Sequence, residues 1–377
     1  MEPILVRHAL GSYPVYIAPG ALADLPEIVA AHCGSRSVAL ITDTAIGRQY
    51  EAWESGHNPS WSVEGTDSVE RVSHDWATRL SVPPGEKYKT RDSWSNLTDA
   101  LLNAGFGRDS ALIGLGGGVV GDLTGFVAAT YQRGIPFVLV PTTLLAMLDA
   151  SVGGKTGVDT PQGKNLIGAF HPPVAVVADP ATLRSLSDTE YRSGLTEAVK
   201  HGLITDAGYL AWIEANVAPL LDRDLPTLEI LIRRSVEIKA GVVASDERES
   251  GPRAMLNAGH TVAHALEQVS GYQLLHGQAV GLGLIAECAM AERAGILPAG
   301  TGARIASLLG QLGLPVRVTF RTNAERIRLA MKRDKKNVAG QLRFAVPIEV
   351  GRMEARNDNW TVGFDEATID AGLAVIL

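Results

Sequence analysis

The feature that most constrains the fold is a glycine-rich stretch, Gly114–Asp122, which directly follows the apolar run Ser110–Ile113. Five of its nine residues are glycine. A glycine turn between a buried strand and a helix lets backbone N–H groups approach an anion closely, and the N-terminus of the helix points at the same place. The stretch therefore predicts an α/β layer with a phosphate-binding turn at the end of a strand.

The residues Gly116–Gly121 also fit the dinucleotide-binding pattern G-x-G-x-x-G, because a helix is predicted over Val119–Thr130 and a further strand over Phe137–Val140. That pattern usually includes an acidic residue about 20 positions later, which binds the adenosine ribose. Pro141–Thr143 stand there instead. A dinucleotide would therefore bind in a non-standard manner. A glycine turn that only packs a helix against a sheet is the alternative.

Composition narrows the possible functions. The chain of 377 residues is 46% hydrophobic and 20% charged, which is typical of a globular protein with about two domains. Its net charge of −7 is spread without long runs, so nucleic acids and anionic membranes are disfavoured as partners. We expect a protein that acts on small molecules.

Cysteine content and the N-terminus indicate a cytoplasmic location. Cys33 and Cys288 are the only cysteines and form no C-x-x-C pattern, which argues against a disulfide framework or a cysteine zinc site. The N-terminal residues lack the basic and then apolar segments that export requires. The most apolar window, Ala279–Leu297, contains Glu287 and Glu292, so it predicts a buried helix and not a membrane span.

Strands alternate with helices in the first half of the chain. Tyr13–Ile17 and Ser37–Thr42 are predicted strands with a helix between them, whereas residues 51–79 have too little periodicity to assign. The second half is helical throughout. We therefore expect an α/β domain over residues 1–185 and an all-α domain over residues 186–377.

Charged residues gather on the predicted ligand-binding edge of the sheet. Asp43 follows a strand, where it is a candidate both for ribose binding and for capping a turn. Two lysines in glycine-containing loops, Lys155 and Lys164, indicate anion contacts, with an ordinary solvated loop as the alternative. A turn on the same edge carries three further charged residues, Glu86, Lys87 and Lys89.

A carboxylate and several imidazoles recur at helical spacing in the second half. Glu197 lies one turn before Lys200 on an otherwise apolar helix, where a carboxylate requires a partner. Two imidazoles, one carboxylate and a water molecule form a common catalytic zinc site. Core histidines bonded to backbone carbonyls are the alternative. The remaining polar residues of this pattern are Arg253, Asn257, His260, His264 and, after a gap, His276.

Six motifs spread along the chain together resemble those of the 3-dehydroquinate synthase family. The resemblance extends from about Tyr13 to Gly351 and is far more specific than any single glycine motif. The six motifs are Gly116–Asp122, Val140–Ala146, Asp149–Thr156, Gly163–Asn165, Leu256–Thr261 and His276–Gly277.

The resemblance implies a dehydroquinate synthase-like fold, with an α/β N-terminal NAD-binding domain and an all-α C-terminal metal-binding domain. It implies conversion of 3-deoxy-D-arabino-heptulosonate 7-phosphate to 3-dehydroquinate and phosphate, in the shikimate route to aromatic amino acids. The implied steps are transient oxidation by NAD, phosphate elimination, re-reduction and intramolecular aldol closure. The implied cofactors are NAD and one divalent metal, zinc or cobalt. The implied assembly is a homodimer.

The resemblance also assigns roles to individual residues. The metal ligands would be Glu197, His260 and His276. Substrate contacts and catalytic groups would be Asp149, Lys155, Asn165, Lys200, Lys239, Glu249, Arg253, Asn257, His264, Lys336 or its neighbour Lys335, and Arg133 from the neighbouring subunit. The NAD contacts would be Asp43, Gly85, Glu86, Lys87, Lys89, Gly118, Val119, Val120, Gly121, Asp122, Thr142, Thr143, Lys155, Lys164, Thr182, Leu183, Arg184 and Ser185.

The chain departs from the family pattern near the implied site. Gln278 stands where the family usually has a glutamate, so a carboxylate that tunes the metal would be missing. Met147 and Ala150 stand in place of a common glutamine and serine, and Ala258 and Ala263 replace an aromatic residue and a glycine. These changes raise the question of a different substrate within the same fold.

Three other functions are compatible with parts of the sequence. Another sugar-phosphate cyclase of the same fold would make an aminodehydroquinate, inosose or valiolone product. A metal-dependent polyol dehydrogenase would release reduced cofactor, and a non-catalytic NAD-binding module would not need the metal ligands. Arg253, Asn257 and His264 favour a substrate with a carboxylate, because the arginine offers a planar two-pronged donor. The sequence therefore favours 3-dehydroquinate synthase chemistry.

Overall fold

The computed structural model of the chain forms two compact units, Met1–Ser185 and Leu186–Leu377. Each unit has its own core of buried apolar side chains. The residues that the structure describes are 2–9, 11–34, 37–48, 63–66, 69–73, 77–249, 251–332, 342–356 and 359–377.

The first unit is built on a sheet that is mostly parallel. Its strands are β1 (Ile4–His8), β2 (Gly11–Ile17), β3 (Ser37–Asp43), β4 (Val63–Thr66), β5 (Val69–Ser73), β6 (Thr78–Val82), β7 (Ser110–Gly116), β8 (Phe137–Pro141), β9 (Lys155–Thr160), β10 (Gly163–Phe170) and β11 (Ala175–Ala178). Nine of them form one sheet in the order β1-β2-β11-β8-β7-β3-β6-β5-β4. Neighbours from β2 to β6 are parallel, whereas β1, β4 and β5 pair antiparallel.

Strand β7 lies in the middle of this sheet, and all seven of its residues are buried. A parallel strand covered on both faces has this continuous apolar character, which the sequence shows just before the glycine stretch. The strand therefore carries the glycine turn on a rigid, buried support. Three helices of this unit, within the residues that the structure describes, are α1 (Leu25–Cys33), α2 (Arg91–Asn103) and α3 (Gly118–Thr130), and residues 44–48 are helical as well.

The segment with Lys155 and Lys164, predicted as glycine-containing loops, is instead a separate antiparallel hairpin of β9 and β10. The prediction of loops is wrong because the two glycines at its centre allow a very close approach of the strands. A Cβ at Gly157 would lie 2.6 Å from the Ile167 oxygen, and one at Gly168 would lie 2.2 Å from the Thr156 oxygen. Glycine here permits strand pairing rather than breaking it.

The second unit is helical, and the predicted fold class of an α/β domain followed by a helical domain is confirmed. Its helices are α4 (Asp188–Thr205), α5 (Ala207–Ala215), α6 (Val217–Leu221), α7 (Leu225–Ser245), α8 (His260–Val269), α9 (His276–Arg293), α10 (Thr301–Gln311), α11 (Ala324–Lys332) and α12 (Glu366–Ile376).

Helix α9 is the centre of this unit and packs against α4, α8, α10 and α12. It approaches the start of α8 so closely that a Cβ at Gly283 would lie 1.9 Å from the Gly259 oxygen. The start of α8, which carries the predicted metal ligand His260, is thus held against the middle of α9 by backbone contact. Among the described helices, none combines the length and apolar character needed to cross a membrane.

Candidate active site

The glycine turn of the first unit joins β7 to α3 and leaves the helix without a side-chain cap. Gly117 is the extended residue before the helix, and α3 begins at Gly118. A Cβ at Gly116 would lie 2.7 Å from Val120 Cγ2, so the turn requires glycine at that position. The first amides of a helix have no partner within it and favour an anion. The groove beside them is lined by Gly114, Gly116, Gly117, Gly118, Gly121, Leu139, Pro141, Ala146, Ala150 and Ser151.

Lys89 is a buried cation of the same unit, with 4% of its side chain exposed. Its ammonium donates to Asp122 and, at 2.6 Å, to Asn165 Oδ1. Desolvation lowers the pKa of Lys89, but attraction to Asp122, Glu86 and Asp159 outweighs it and leaves the pKa above its ordinary value. Burial also raises the pKa of Asp122, an effect that Lys89 opposes. The lysine therefore remains a fixed positive charge at physiological pH.

Most of the other predicted NAD contacts of the first unit fall into four places. Asp43 lies at the end of β3, where its Oδ1 accepts the Ala45 and Ile46 N–H groups, both at 2.9 Å, so that oxygen caps a turn. Thr142 and Thr143 follow β8, and Thr182–Ser185 form part of a 3-10 helix. The turn residues Gly85, Glu86 and Lys87 precede Lys89, and Glu86 Oε1 lies 3.5 Å from Lys164 Nζ.

Four of the predicted substrate residues also belong to the first unit, and one of them, Asn165, accepts the hydrogen bond from Lys89. Asp149 lies in a π-helical turn, Ala146–Ala150, and Lys155 begins β9. Arg133 follows α3 in a left-handed conformation with φ of 70°. Lys335 and Lys336 lie outside the described residues.

The second unit brings together the three predicted metal ligands. Glu197, His260 and His276 each offer one ligand atom, and these atoms lie within 4.8 Å of one another. The ring centroids of the two histidines are 5.2 Å apart. These residues come from the middle of α4 and the first positions of α8 and α9.

Glu197 is completely buried, and Lys200 one turn later forms an ion pair with it. The ammonium is close enough for the pair, but no donor among the described residues meets hydrogen-bond geometry at either carboxylate oxygen. A buried carboxylate with open lone pairs is costly unless another cation or donor completes it. The carboxylate therefore fits a role as a metal ligand.

His260 offers one ring nitrogen to the predicted metal site. Its Nδ1 lies 3.1 Å from the Ala258 carbonyl oxygen, so Nδ1 donates its proton to that carbonyl and Nε2 is the ring nitrogen that would bind a metal. Two imidazole nitrogens and a carboxylate match the donor set of catalytic zinc. His264, one turn along α8, places its ring edge-on to His260 with centroids 5.7 Å apart. The residues present thus fit a divalent metal.

The prediction that the residues from Arg253 to His264 lie on one continuous helix is wrong. Pro252–Asn257 form a 3-10 helix, and Gly259 adopts φ of 79° before α8 begins. A left-handed residue ends one helix and redirects the chain. Arg253 therefore lies on the 3-10 helix and not on the same helix as His260 and His264. Its side chain is buried, with 3% exposed.

The remaining predicted substrate contacts are buried or held by neighbours. Lys239 on α7 is 5% exposed. Asn257 donates through Nδ2 to Glu249 Oε1 at 2.5 Å, and Glu249 is itself in a left-handed conformation with φ of 60°. Among these residues, Glu249 orients Asn257.

Two carboxylates near the histidines were not assigned a role from the sequence. Glu287 on α9 is 2% exposed and accepts the Gly259 N–H at 2.8 Å and the Val262 N–H at 3.1 Å, so it caps α8 where Gly259 has no side chain to do so. Glu267 lies three residues after His264 and faces His276. The sequence feature that could have indicated a role for Glu287 is its position as an acidic residue within an otherwise apolar helix.

Gly277→Ala is expected to weaken metal binding because Gly277 lies where α9 passes α4. A Cβ there would lie 1.9 Å from the Ser193 carbonyl oxygen, a backbone atom that cannot rotate away. The two helices must separate, and they carry His276 and Glu197. We expect the variant to lose about 1–3 kcal/mol of unfolding free energy. Urea denaturation and zinc titration measure the two effects.

Gly241→Ala is the matched control for this substitution. Gly241 lies within α7 and an added Cβ meets nothing within 4 Å. Alanine there should leave zinc affinity unchanged and raise stability by about 0.5–1 kcal/mol. Equal behaviour of the two variants would show that the contact between Gly277 and Ser193 does not matter.

Comparison with protein families gives two matches that follow one another along the chain. Residues 79–193 match the model of the 3-dehydroquinate synthase N-terminal region. Residues 194–337 match the model of the 3-dehydroquinate synthase C-terminal region.

Curated relatives match over almost the whole chain. A 3-dehydroquinate synthase of Saccharophagus degradans is 43% identical over 341 residues, which cover 90% of this chain and 90% of the relative. A 3-dehydroquinate synthase of Pelotomaculum thermopropionicum is 42% identical over 358 residues, which cover 95% of this chain and 93% of the relative.

Solved structures show the same fold. The structure of 2-deoxy-scyllo-inosose synthase complexed with carbaglucose-6-phosphate, NAD+ and Co2+ has a TM-score of 0.87 at 22% identity and covers 100% of both chains. The structure of ValA, a 2-epi-5-epi-valiolone synthase from Streptomyces hygroscopicus with NAD+ and Zn2+ bound, has a TM-score of 0.82 at 24% identity, with 100% and 99% covered. Since two consecutive family models and relatives at 42–43% identity match the chain, it belongs to the 3-dehydroquinate synthase family.

Proposed function

We propose that the chain is a 3-dehydroquinate synthase that converts 3-deoxy-D-arabino-heptulosonate 7-phosphate to 3-dehydroquinate and phosphate. The observation that carries this proposal is the identity of 42–43% to relatives named 3-dehydroquinate synthase over at least 90% of the chain. The convergence of Glu197, His260 and His276 supports it independently.

The proposal includes NAD and one divalent metal, zinc or cobalt. When bound, these groups supply a reversible hydride acceptor and a Lewis acid for the reacting hydroxyl. The glycine turn and Lys89, with its partners Asp122 and Asn165, would hold the anionic cofactor. The other residues that the family resemblance assigns to NAD, from Asp43 to Ser185, would complete its binding site. Glu197, His260 and His276 would hold the metal, which fits the open carboxylate oxygens of Glu197.

The substrate carries a carboxylate and a phosphate, and the assigned residues match both. Arg253 would bind the carboxylate with its planar guanidinium, and Asn257, fixed by Glu249, would donate an amide hydrogen bond. The assigned lysines would bind phosphate or carry protons, and His264 would contact the substrate rather than the metal. The pocket would also orient the ring-opened product for aldol closure. These lysines are Lys155, Lys200, Lys239 and Lys336. The other residues that the family resemblance assigns to the substrate are Asp149, Asn165 and the Arg133 of a neighbouring subunit.

Phosphate release by the wild-type protein tests the proposal. With NAD and zinc or cobalt present, we expect release from the heptulosonate phosphate and none from sedoheptulose 7-phosphate, which lacks the carboxylate that Arg253 would bind. NADH should not accumulate, because the hydride returns to the substrate.

Two other results would contradict the proposal in different ways. A preference for sedoheptulose 7-phosphate would move the chain to the cyclases that make inosose-like or valiolone-like products. Net NADH formation with glycerol, without phosphate release, would indicate a polyol dehydrogenase.

We also propose a homodimer in the cytoplasm. The hairpin strand β10 exposes three apolar side chains, Leu166, Ile167 and Phe170, which support a contact with a second copy. The free thiols of Cys33 and Cys288 support a reducing compartment, and burial raises the pKa of Cys33 to about 11, which keeps that thiol unreactive.

A further inference from the structure

Glu267 lies on α8, on the same side of the helix as His260 and His264. It follows His260 by seven positions and His264 by three, so the helical repeat places all three on one side of α8. Its side chain is almost completely buried, and its Oε1 lies 3.6 Å from His276 Nδ1. A buried carboxylate therefore stands beside Nδ1 of His276, and a metal held by this ring would bind at Nε2.

Gln278 does not occupy this place. Its Oε1 accepts the Leu275 N–H at 3.2 Å and so caps the first turn of α9. From the family pattern, glutamine at position 278 is expected to remove a carboxylate that tunes the metal. In this chain the amide at that position has a structural partner, and a carboxylate reaches His276 from a different helix.

The two histidines are thus supported in the same way by different groups. His260 Nδ1 faces the Ala258 carbonyl oxygen at 3.1 Å, and His276 Nδ1 faces the Glu267 carboxylate at 3.6 Å. The carbonyl favours a proton on Nδ1 of His260, the carboxylate favours one on Nδ1 of His276, and in each ring Nε2 is then the atom that would bind a metal. The separation of 3.6 Å lies beyond the usual range of an N–H···O bond, so Glu267 acts on His276 as a nearby negative charge.

We propose that Glu267 is a positioning residue that fixes the orientation and tautomer of His276 and strengthens it as a metal ligand. This inference rests on the metal site of the proposed function. The negative charge of the carboxylate favours an imidazole that donates from Nδ1, and this increases the electron density at Nε2. Because Glu267 is buried, little water competes for the interaction.

Zinc affinity of the full chain tests the inference. Metal-free wild type, Glu267→Gln and Gln278→Glu are titrated with Zn2+ against a chromophoric chelator, and the thermal melt of each metal-free protein is recorded. We expect Glu267→Gln to keep the wild-type melt but to bind Zn2+ about 10- to 100-fold more weakly. Gln278→Glu is the matched control, since it adds the carboxylate of the family pattern, and its affinity should equal that of wild type.

Two results of this titration would overturn the inference, and they are distinguishable. If wild type binds one Zn2+ and Glu267→Gln binds it equally well, only the role of Glu267 fails. If wild type binds no divalent metal, the metal site of the proposed function fails together with it.

A measurement on the unmodified protein covers the case in which Glu267→Gln does not fold. Nitrogen-15 NMR of histidine-labelled, metal-free wild type reports which ring nitrogen of His276 carries the proton. The inference requires the Nδ1–H tautomer, and the Nε2–H tautomer would overturn it. A merely structural Glu267 would not select between them.

Discussion

His260→Ala and His276→Ala are each expected to lose the bound metal and to lower kcat/KM on the heptulosonate phosphate on the order of 1,000-fold or more, since a Lewis acid contributes several kcal/mol to the transition state. Either substitution removes one of the three ligand atoms that lie within 4.8 Å of one another. Both side chains are only partly buried, so the fold should survive. Metal content by mass spectrometry and phosphate release measure the two losses.

His264→Ala tests whether His264 contacts the substrate and not the metal. It should retain one metal per chain and still turn over slowly, because we assign His264 to the substrate. His32→Ala is the control: that ring bonds Tyr16 in the first unit, at 2.9 Å, and its loss should change neither metal content nor turnover. Full metal occupancy in His260→Ala or His276→Ala would refute the ligand set.

Lys89→Met is expected to destabilise the first unit by about 3 kcal/mol, the lower end of the range for breaking a buried ion pair. The substitution leaves Asp122 and Asn165 Oδ1 without the ammonium that bonds both. NAD affinity should fall as well, because Lys89 is one of the proposed cofactor contacts. Urea denaturation followed by circular dichroism measures the stability, and calorimetric titration measures NAD binding.

Two variants isolate the cause of the destabilisation. Lys87→Met removes a neighbouring lysine that is exposed and lies 4.9 Å from the centre of the Tyr88 ring, so it should cost less than about 1 kcal/mol. Asp122→Asn in the Lys89→Met background should restore most of the lost stability, because no uncompensated charge then remains. A double variant as unstable as Lys89→Met would contradict the ion-pair explanation.

The destabilisation should also depend on pH with a defined sign. Burial raises the pKa of Asp122, and Lys89 is the group that opposes this. Without Lys89 the pKa of folded Asp122 rises further above its unfolded value, so the folded variant binds a proton more tightly than the unfolded chain does. The variant therefore gains stability as the pH falls through that raised pKa, and the difference from wild type narrows in acid.

Elements that depend on local patterns were predictable from the sequence. Helix α3, predicted over Val119–Thr130, spans Gly118–Thr130, and strand β8, predicted over Phe137–Val140, spans Phe137–Pro141. The ion pair of Glu197 and Lys200 follows from their spacing of three on one helix. In each case the periodicity or turn chemistry of neighbouring residues determines the outcome.

The predictions that were wrong involve contacts between distant segments. The hairpin of β9 and β10 depends on glycines eleven positions apart meeting face to face, as Gly157 and Gly168 do. The break before α8 depends on Gly259 fitting against α9, where a Cβ would lie 2.9 Å from the Val280 oxygen. Neither contact is visible in the local pattern, since each is decided by what packs against the glycine.

The sequence by itself determined the fold class, the family resemblance and the residue types of the proposed metal site, because these reside in periodicity and in motifs. Only the tertiary structure decided which residues support that site. It assigned Gln278 to a helix cap, placed Glu267 beside His276 and made Glu287 the cap of α8. The physical reason is that hydrogen bonding and burial depend on distances between side chains from different helices, and helix packing sets those distances.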